Sequence, residues 1–421
     1  MENFEMLIEF SVENFLSIKD KITLSMLASK DSTYDYHLIP PSPLRQKSLL
    51  KTTAIYGANA SGKSNVLKAV FFFKNLILNS HKMQQGDEIK TTPFKLDENL
   101  IVKPSRLEIA FIFNDIKYAY GFSVDKQKVH DEYLYYFPKG RQSLIFERIN
   151  TNEYTFTIDR KEQKELSSRT PQNILYLSSA TRWNYQKTAV PFEWIRKHLR
   201  VVTSHEKMSF LGFTAEMVFQ NPGIIDTVNQ FLLEADLGIN ALKVTKETTK
   251  KENTAKEFAG EWQQMFSTDE SITLQTQHVG VDKEGSEKEL YFKLEEESDG
   301  TQKFFSMLGP FIDVLKNGYV LFIDELEASL HPHLTKFLVN LFHNPHQNEK
   351  NAQLIFTTHD TNLLNLLRRD QVWFTEKNPQ NGSTDLYSLL EFSPRKDQNI
   401  EKGYLAGRYG AVPFLGDGNI L

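Results

Sequence analysis

The sequence predicts an α/β fold with a β-rich N-terminal part and a second α/β part nearer the C-terminus. Three observations lead to this prediction. A glycine-rich loop separates a short β-rich run from a helical run, several aromatic and β-branched runs follow, and strand and helix patterns alternate again from Tyr291 onward. The composition is that of a globular protein, with 421 residues of which 40% are apolar and 24% are charged. Cysteine is absent, which excludes disulfides, thiolate metal sites and cysteine nucleophiles.

The N-terminal elements follow from hydrophobic periodicity. Met6 to Met26 carries alternating apolar and polar residues on both sides of a turn, which predicts a two-stranded hairpin at a sheet edge. Thr52 to Tyr56 predicts a short strand, and Ser64 to Leu78 has the length of a helix and no helix breaker. From Leu107 to Ile158, short runs rich in Phe, Tyr, Ile and Val are separated by polar or glycine-containing turns, which predicts an antiparallel meander.

We predict three segments along the chain. Residues 1–180 form an N-terminal β-rich lobe that includes the glycine-rich loop. Residues 181–290 form an insertion that is mainly helical and then strongly polar, without the sustained heptads of a long coiled coil. Residues 291–421 form a C-terminal lobe in which strands and helices alternate.

Charge and hydropathy limit the possible partners. The net charge is −5 and the pI about 6.2, which argues against a dominant nucleic-acid-binding surface. A basic run at residues 246–256 is interleaved with Glu and Thr and lacks aromatic residues, so a solvated surface explains it better. No apolar run reaches membrane-spanning length, and the first residues lack the pattern of a signal or transit peptide. We therefore expect a cytoplasmic protein without a membrane partner.

The segment from Gly57 to Ser64, GANASGKS, has the eight-position pattern of a phosphate-binding loop. It lies between a predicted strand and a predicted helix, which is the context that this pattern requires. In such a loop backbone N–H groups surround the phosphates, Lys63 would reach the β- and γ-phosphate oxygens, and the hydroxyl of Ser64 would bind Mg²⁺. The sequence therefore predicts ATP and Mg²⁺ as cofactors. The predicted nucleotide-contacting residues of this loop are Gly57, Asn59, Ser61, Gly62, Lys63, Ser64 and Asn65.

Two later strands end in residues suited to phosphate chemistry. An apolar run is followed by Asp324, placed to hold Mg²⁺, and Glu325, placed to orient or deprotonate the attacking water. A second apolar run is followed by His359. Each feature alone also describes a core strand that ends in polar residues, and only its combination with the phosphate-binding loop favours a catalytic site. The predicted catalytic residues are Glu325, His359 and Lys63, and the predicted metal ligands are Ser64 and Asp324.

A further candidate lies at the start of a predicted helix. Ser298 and Gly300 belong to the run ESDGTQ, which immediately precedes a helical segment. A serine hydroxyl and glycine N–H groups at a helix N-terminus can bind an anion, and the same residues also form an ordinary helix cap. The position of this run shortly before Asp324 favours the anion site.

Taken in order, GANASGKS, ESDGT, VLFIDE, EASLH and TTHD resemble the motifs of ABC-type ATPase heads. The resemblance implies an α/β fold, an ABC/SMC-like P-loop NTPase head with an antiparallel β subdomain and a mainly helical insertion. It also implies that Ser298 and Gly300 contact the γ-phosphate of a nucleotide held by a second copy of the chain.

The same resemblance assigns two more parts of the site. Residues 328–331 would form the D-loop of the dimer interface, and His359 would be the switch histidine. Two positions depart from the family signature, because Asp299 replaces its first glycine and Thr301 its usual glutamine.

Longer stretches, including LIEFSVENFLSIKD, IYGANASGKSN, DELEASLHP and GRYGAVPFL, resemble a narrower group, the stand-alone bacterial ABC/SMC-like AAA ATPases. That group includes abortive-infection and RloA-like proteins, often encoded beside an RloB-like partner, and is related to the heads of OLD-type ATPases. The resemblance implies a homodimer or higher homo-oligomer. Its ATP-dependent closure would act as a switch that controls a toxin or effector partner in defence against phage.

Two other functions are compatible with an ATPase head. The main alternative is a DNA-sensing or DNA-processing ATPase, with DNA as a partner, although the sequence after His359 is too short for a nuclease domain. A transporter subunit would need a membrane partner, and the unusual signature and the long insertion disfavour it. Gln172 or Gln186 could be the glutamine that senses Mg²⁺, although the sequence favours ordinary loop glutamines at both positions.

Overall fold

The structure is a computed structural model that describes residues 5–41, 47–202, 209–247, 271–395 and 398–413. Most of the basic run at 246–256 and the last residues of the GRYGAVPFL motif lie outside the described residues. The described residues form two compact units. The first comprises those within Met1–Val201, Gly318–Leu326 and Phe342–Leu421, and the second those within Val202–Asn317 and Glu327–Leu341.

The strands of the described chain are, in order, β1 (Met6–Glu13), β2 (Ile22–Ser25), β3 (Leu38–Ile39), β4 (Leu49–Leu50), β5 (Thr52–Tyr56), β6 (Ser105–Phe113), β7 (Ile116–Val124), β8 (Val129–Phe137), β9 (Ser143–Ile149), β10 (Glu153–Phe156), β11 (Leu199–Val202), β12 (Ala241–Glu247), β13 (Ser271–Val281), β14 (Glu287–Lys293), β15 (Val320–Ile323), β16 (Gln353–Thr357), β17 (Val372–Lys377) and β18 (Thr384–Ser388). The α-helices are α1 (Lys63–Asn79), α2 (Glu98–Ile101), α3 (Arg160–Ser168), α4 (Tyr176–Arg182), α5 (Gln186–Lys197), α6 (Ser209–Gln220), α7 (Pro222–Glu234), α8 (Asp299–Asn317), α9 (Pro332–His343) and α10 (Ile400–Leu405).

A seven-stranded antiparallel sheet in the order β10-β9-β8-β7-β6-β1-β2 belongs to the first unit. Strands β1 and β2 pair at one edge of this sheet, which confirms the predicted hairpin. Strands β6 to β10 each pair with the next strand in sequence, which confirms the predicted meander. The many aromatic and β-branched residues of this region favour such a pleated sheet because they pack well against cross-strand neighbours.

A six-stranded sheet, in the order β11-β15-β16-β5-β17-β18, is the second large sheet of the same unit. Strands β15, β16, β5 and β17 are parallel neighbours, whereas β18 is antiparallel to β17. Every residue of β5, β15 and β16 is buried, as expected for parallel strands that are covered on both faces. The loop GANASGKS joins β5 to α1, which confirms the predicted order of strand, loop and helix.

Helix α1 shares one hydrophobic core with residues of both sheets. The fully buried ring of Phe73 lies edge-on to Phe10 of β1, with centroids 5.7 Å apart, and stacks on Phe122 of β7 at 5.3 Å. Ile55 of β5 and Ile355 of β16 belong to the same core. Burial of large aromatic side chains is strongly stabilising, so this packing fixes the position of α1 and of the loop that precedes it.

The second unit contains helices α6, α7 and α8 and a three-stranded antiparallel sheet in the order β12-β13-β14. Helices α6 and α8 approach closely where Thr214 Oγ1 donates to the carbonyl of Ser306 at 2.9 Å and accepts from the N–H of Gly309 at 3.1 Å. A Cβ atom at position 309 would lie 2.4 Å from Thr214 Oγ1, so glycine permits this contact. The ring of Phe337 packs against Phe231 and Phe304.

The predicted insertion at residues 181–290 contains helices α5, α6 and α7, and also strands β11, β12 and β13, which were not predicted from the sequence. The division into three segments stays a prediction. None of the helices within the described residues is both long enough and apolar enough to span a bilayer.

Four polar side chains form a buried cluster at the start of β5. Gln371 Nε2 donates to Thr52 Oγ1 at 2.6 Å, and that hydroxyl lies 2.7 Å from Nε2 of His343. Gln371 Oε1 lies 2.9 Å from Nδ1 of His37, and the two imidazole rings stack with centroids 3.4 Å apart. Burial lowers the pKa of His37 to about 4 and the pKa of His343 well below its ordinary value. Both rings are therefore uncharged at neutral pH.

Protonation of this cluster should contribute to acid unfolding. Unfolded histidines bind protons below about pH 6.5, whereas His37 in the fold does so only near pH 4. The stability that the neutral rings contribute is therefore complete above about pH 6.5 and is lost as the pH falls towards 4. Each ring contributes a slope of up to about 1.4 kcal/mol per pH unit.

We expect His37→Gln to reduce the slope of unfolding free energy against pH between about pH 6 and 4.5. The reduction should be at most the slope that one ring contributes, which is about 1.4 kcal/mol per pH unit. Urea denaturation at a series of pH values measures this slope. The matched control is His333→Gln at an exposed position, which should keep the wild-type slope. Identical slopes for His37→Gln and the wild type would contradict the assignment.

Candidate functional site

The candidate residues of the first unit follow three parallel strands that lie side by side. The register pairs Ile323 of β15 with Phe356 of β16, and Thr357 of β16 with Ile55 of β5. The three strands therefore end at the same edge of the sheet. The phosphate-binding loop follows β5, Asp324 and Glu325 follow β15, and His359 follows β16. Ligands of open α/β sheets bind at this edge, outside the carboxyl ends of the strands.

The two glycines of the loop adopt backbone conformations with positive φ that other residues rarely adopt. Gly57 has φ +154° and Gly62 has φ +109°, and a Cβ atom at either position would come within 2.6 Å of a neighbouring oxygen. Gly62 is the N-cap of α1, so the N–H groups at the start of this helix face the loop. Lys63 is 6% exposed, and its ammonium donates to the carbonyls of Gly57 at 2.8 Å and Ala58 at 3.1 Å. The cation is thus held inside the loop.

Side chains from β17, from the start of β18 and from the N-terminal region hold the loop from outside. Ser61 Oγ lies 2.7 Å from Thr375 Oγ1, and Thr384 Oγ1 donates to the carbonyl of Ser61 at 2.9 Å. Ser17 Oγ lies 2.7 Å from the same Thr384 hydroxyl and accepts from Asn65 Nδ2 at 2.6 Å. These three supporting hydroxyls were not predicted from the sequence, because isolated Ser and Thr residues in strands and turns carry no motif.

Asn59 and Ala60 form the exposed tip of the loop. Ala60 has a positive φ of 61°, a conformation that is uncommon for residues other than glycine. The structure therefore brings together all seven loop residues that the sequence predicted. Buried Ser61 and Lys63 lie inside the loop, and Asn59 lies on its exposed side.

A hydroxyl and a carboxylate meet directly below the loop. Ser64 Oγ donates to Asp324 Oδ1 at 3.1 Å, and Thr357 Oγ1 donates to the same oxygen at 2.7 Å. Asp324 is 3% exposed. Serine hydroxyl and carboxylate oxygens are the hard ligands that Mg²⁺ prefers, so this pair fits the predicted divalent cation. Thr357 was not among the predicted site residues, although it is the first threonine of the quoted TTHD motif.

Thr357 also fixes the backbone of Glu325. Its hydroxyl accepts from the N–H of Glu325 at 2.7 Å, and its carbonyl accepts from the N–H of Leu326 at 3.1 Å. Glu325 has a positive φ of 49°, which turns the chain at the end of β15 and leaves this side chain exposed between two buried neighbours. Such a conformation costs free energy for a residue other than glycine and often occurs at functional sites.

His359 is exposed at the end of β16. The next residue, Asp360, is held by two hydrogen bonds. The hydroxyl of Tyr56 donates to the carbonyl of Asp360 at 3.1 Å, and the Asp360 carboxylate accepts from the N–H of Asn362 at 3.0 Å. The N–H of Asp360 in turn donates to Thr358 Oγ1 at 3.0 Å. The turn that carries His359 is therefore well ordered by its own hydrogen bonds.

The predicted signature residues lie in the second unit. Ser298 is exposed, and its hydroxyl accepts from the N–H of Thr301 at 3.1 Å, so it caps helix α8. The two hydroxyls of Ser298 and Thr301 are 2.9 Å apart. A Cβ atom at Gly300 would lie 3.1 Å from the carbonyl of Ser329, so the helix start packs tightly against the predicted D-loop. Ser329 is exposed and has φ 64°.

The two candidate glutamines are both exposed. Pro171, which precedes Gln172, lines a cavity together with His81 and Lys82, which follow the C-terminal end of α1. The phosphate-binding loop precedes the N-terminal end of this helix, so Gln172 lies away from the loop. Gln186 begins α5, and its side chain donates to the carbonyl of Asn184 at 3.2 Å.

The fold and this site define a P-loop NTPase. The chain belongs to the family described as "AAA domain, putative AbiEii toxin, Type IV TA system", whose profile matches residues 52–365. The family match confirms the AAA part of the predicted recognition, and the two large sheets with their helices confirm the predicted α/β fold with an antiparallel β subdomain. The match covers the phosphate-binding loop, Ser298, Asp324, Glu325 and His359.

The solved structures that resemble the chain include two SMC heads. One is the SMC head bound to the C-winged helix domain of ScpA, with 15% identity, a TM-score of 0.45, and coverage of 92% of this chain and 99% of that chain. The other is the SMC head domain from Thermotoga maritima, with 15% identity, a TM-score of 0.40, and coverage of 91% of this chain and 98% of that chain. No curated protein matches the sequence.

Thr357 should be necessary for turnover because its hydroxyl orients both Asp324 and the backbone of Glu325. We expect Thr357→Val to lower the rate of ATP hydrolysis by about tenfold or more, and to cost about 1–3 kcal/mol of stability because a buried hydrogen-bond donor is lost. The matched variant Thr357→Ser keeps the hydroxyl and should retain most of the hydrolysis rate and most of the stability. Phosphate release and urea unfolding measure the two effects. Full turnover by a folded Thr357→Val protein would contradict this role.

Proposed function

We propose that the protein binds ATP with Mg²⁺, hydrolyses it, and uses ATP binding to join two copies of the chain as a switch. The observation that carries this proposal is the contact of Ser64 with Asp324 below a closed phosphate-binding loop, beside Glu325. These groups meet the chemical needs of phosphoryl transfer, which are phosphate positioning, charge neutralisation and a base near the attacking water.

Nucleotide binding is supported by the loop and the helix behind it. Backbone N–H groups at the start of α1 offer donors to phosphate oxygens, and the positive end of the helix dipole favours the negative charge. The ammonium of Lys63 would exchange its two loop carbonyls for β- and γ-phosphate oxygens. Ser64 and Asp324 would hold the divalent cation, which supplies charge neutralisation at the phosphates.

Hydrolysis is supported by the position of Glu325. Its side chain is exposed at the sheet edge where β5 and β16 also end, so it can reach a water molecule beside a γ-phosphate. Glu325 would accept the proton of that water, and exposed His359 would contact the γ-phosphate. Buried Thr357 would keep Asp324 and Glu325 in register with each other.

The dimeric switch is supported by the start of helix α8. Ser298 is exposed in a single chain and presents a hydroxyl at a helix N-terminus, an arrangement that suits the γ-phosphate of a nucleotide bound by another copy. Gly300 and Ser329 pack together, so the signature and the D-loop would act as one surface. Closure would depend on ATP because the nucleotide supplies the contacts between the copies.

The output of the switch is, in this proposal, control of a toxin or effector partner in anti-phage defence, in the cytoplasm, by a homodimer or a higher homo-oligomer. Support comes from the description of the family, which names a putative toxin and a toxin–antitoxin system. An RloB-like protein is one candidate partner. The alternative output is DNA sensing or DNA processing by an SMC- or OLD-like ATPase, and ATP-dependent, salt-dependent DNA binding would favour it.

Glu325→Gln tests catalysis and the switch together. The substitution keeps the shape of the side chain but removes the base, so ATP binding should persist while turnover falls by about 10²–10⁴-fold. Trapped ATP should then hold two copies together, which light scattering with Mg²⁺-ATP would detect as a dimer or larger assembly. Exposed Glu349→Gln is the control and should behave as the wild type. Wild-type turnover by Glu325→Gln would remove Glu325 from catalysis, and an ATP-bound monomer would refute the switch.

Ser298→Arg tests the contact between copies separately. A long cation at the start of α8 should leave ATP binding by the isolated chain intact, because Ser298 is not part of the phosphate-binding loop. It should abolish association induced by a non-hydrolysable ATP analogue. Ser286→Arg, at an exposed turn between β13 and β14, is the matched control and should associate normally. Equal dimerisation of Ser298→Arg and the wild type would refute the role of Ser298 in the partner's site.

A further inference from the structure

A cavity of about 770 Å³ lies in the first unit, beyond the C-terminal end of α1. Its volume is within the range of small-molecule sites, which is about 300–1,000 Å³. Its walls come from the segment after α1 and from the segment around α4. The lining residues are His81, Lys82, Met83, Gln84, Arg169, Pro171, Ile174, Ser179, Arg182 and Trp183.

The charge of this cavity is positive. Lys82, Arg169 and Arg182 line it, and none of the lining residues is a carboxylate. The acidic side chain that contacts one of these cations is Glu165, whose carboxylate lies 2.6 Å from Arg169. Lys82 donates to Asn79 Oδ1 at 2.8 Å and Arg182 to the carbonyl of His81 at 2.8 Å, so neutral acceptors hold these two.

The neighbouring imidazole responds to this charge. Burial, together with the charges of Lys82 and Arg182, lowers the pKa of His81. Two cations held by neutral acceptors and a third paired with Glu165 therefore line one concave surface. Such a surface favours an anionic ligand, and the geometry suits a phosphate group.

One wall of the cavity is an exposed aromatic ring. Trp183 is 55% exposed, which is unusual for so large an apolar side chain. Its backbone N–H donates to the carbonyls of Ser179 and Ala180 at the end of α4, which fixes the backbone at this position. The guanidinium of Arg169 lies 5.5 Å from the ring centroid and supports it by a cation–π contact. The ring thus offers an exposed aromatic face beside the cations.

This cavity is separate from the phosphate-binding loop. Helix α1 has 17 residues and begins at the loop, whereas His81 and Lys82 follow its other end. At a rise of about 1.5 Å per residue, the two ends of the helix are roughly 25 Å apart. A nucleotide held by the loop cannot reach that far.

We infer that this cavity is a second binding site, which takes a free nucleoside phosphate with its phosphate on Lys82, Arg169 and Arg182 and its base stacked on Trp183. Phosphate and planar base are the two features that the cations and the ring recognise together. The cavity has the size for one such ligand, so we favour a free nucleotide over a nucleic-acid strand. This inference does not rest on the proposed function of the phosphate-binding loop.

Equilibrium dialysis with radiolabelled AMP, GMP, ATP and GTP tests the inference by counting sites per chain. Four proteins are compared, which are the wild type, Lys63→Ala, Arg169→Gln/Arg182→Gln, and the triple variant. With the nucleotide that binds most tightly to both the loop and the cavity, we expect two sites per chain in the wild type. We expect one site in Lys63→Ala and one in Arg169→Gln/Arg182→Gln. The triple variant, which combines these three substitutions, should have none. Arg196→Gln, at an exposed arginine of α5 outside the cavity, is the control and should keep both sites.

The outcomes separate the cavity from the loop. A nucleotide site that survives Lys63→Ala and is lost in Arg169→Gln/Arg182→Gln supports the inference, even if the loop itself binds nothing. Binding that is lost in Lys63→Ala alone, or that is indifferent to the arginine variants, overturns it. If the double variant fails to fold, Arg169→Lys/Arg182→Lys keeps the charge but loses the planar fork, and it should bind at least several-fold more weakly than the wild type.

Two further arms identify the ligand chemistry in the Lys63→Ala background. Trp183→Ala should weaken nucleotide binding by about tenfold or more because base stacking is lost, whereas Trp183→Phe should retain most of it. Inorganic pyrophosphate should bind more weakly than the nucleotide and be insensitive to Trp183→Ala. Equal affinity for pyrophosphate and nucleotide would leave a simple anion site and refute base recognition. Tighter binding of a ten-residue oligodeoxythymidine than of any mononucleotide would refute the free-nucleotide ligand.

Discussion

Parallel hydrogen bonding between β15, β16 and β5 is the constraint on which the candidate site depends. These strands are neighbours in register, so the segments that follow them leave the sheet at one edge. Residues that are far apart in sequence, such as Ser64 and Asp324, therefore meet without any long side chain reaching across the fold. A slip of one residue in β15 would turn its alternating side chains to the opposite faces of the sheet and would separate Asp324 from Ser64.

Hydroxyl groups form the hydrogen bonds that hold Asp324 and the loop in place. Ser64 and Thr357 both donate to Asp324, and Thr375 and Thr384 bond to Ser61 from behind the loop. A lysine beside Asp324 would neutralise the carboxylate and compete with a cation. Hydroxyl donors fix the same geometry and leave the negative charge available. The hydroxyl hydrogen bonds thus position Asp324 without neutralising its charge.

The sequence predicted the parts of the site that lie in short motifs, because there the chemistry dictates both residue type and spacing. It could not predict Thr375 and Thr384, whose importance arises only when β17 pairs with β5. It also missed β12 and β13, since their polar residues give a weak hydrophobic pattern. The basic cavity was equally hidden, because its walls come from segments about 90 residues apart that only tertiary packing brings together.

The pairing of β5 has a consequence for the synthesis of the chain. Both neighbours of β5 in the sheet, β16 and β17, lie roughly 300 residues further along. At a translation rate of about 5–20 residues per second, the strand that leads into the phosphate-binding loop therefore waits on the order of 15–60 seconds for them. During that interval its five apolar and hydroxyl residues expose unpaired backbone, which is a risk for aggregation. A ribosome-associated chaperone that shields this segment would raise the yield of folded protein, and a nascent chain that stops before β16 cannot acquire a complete nucleotide site.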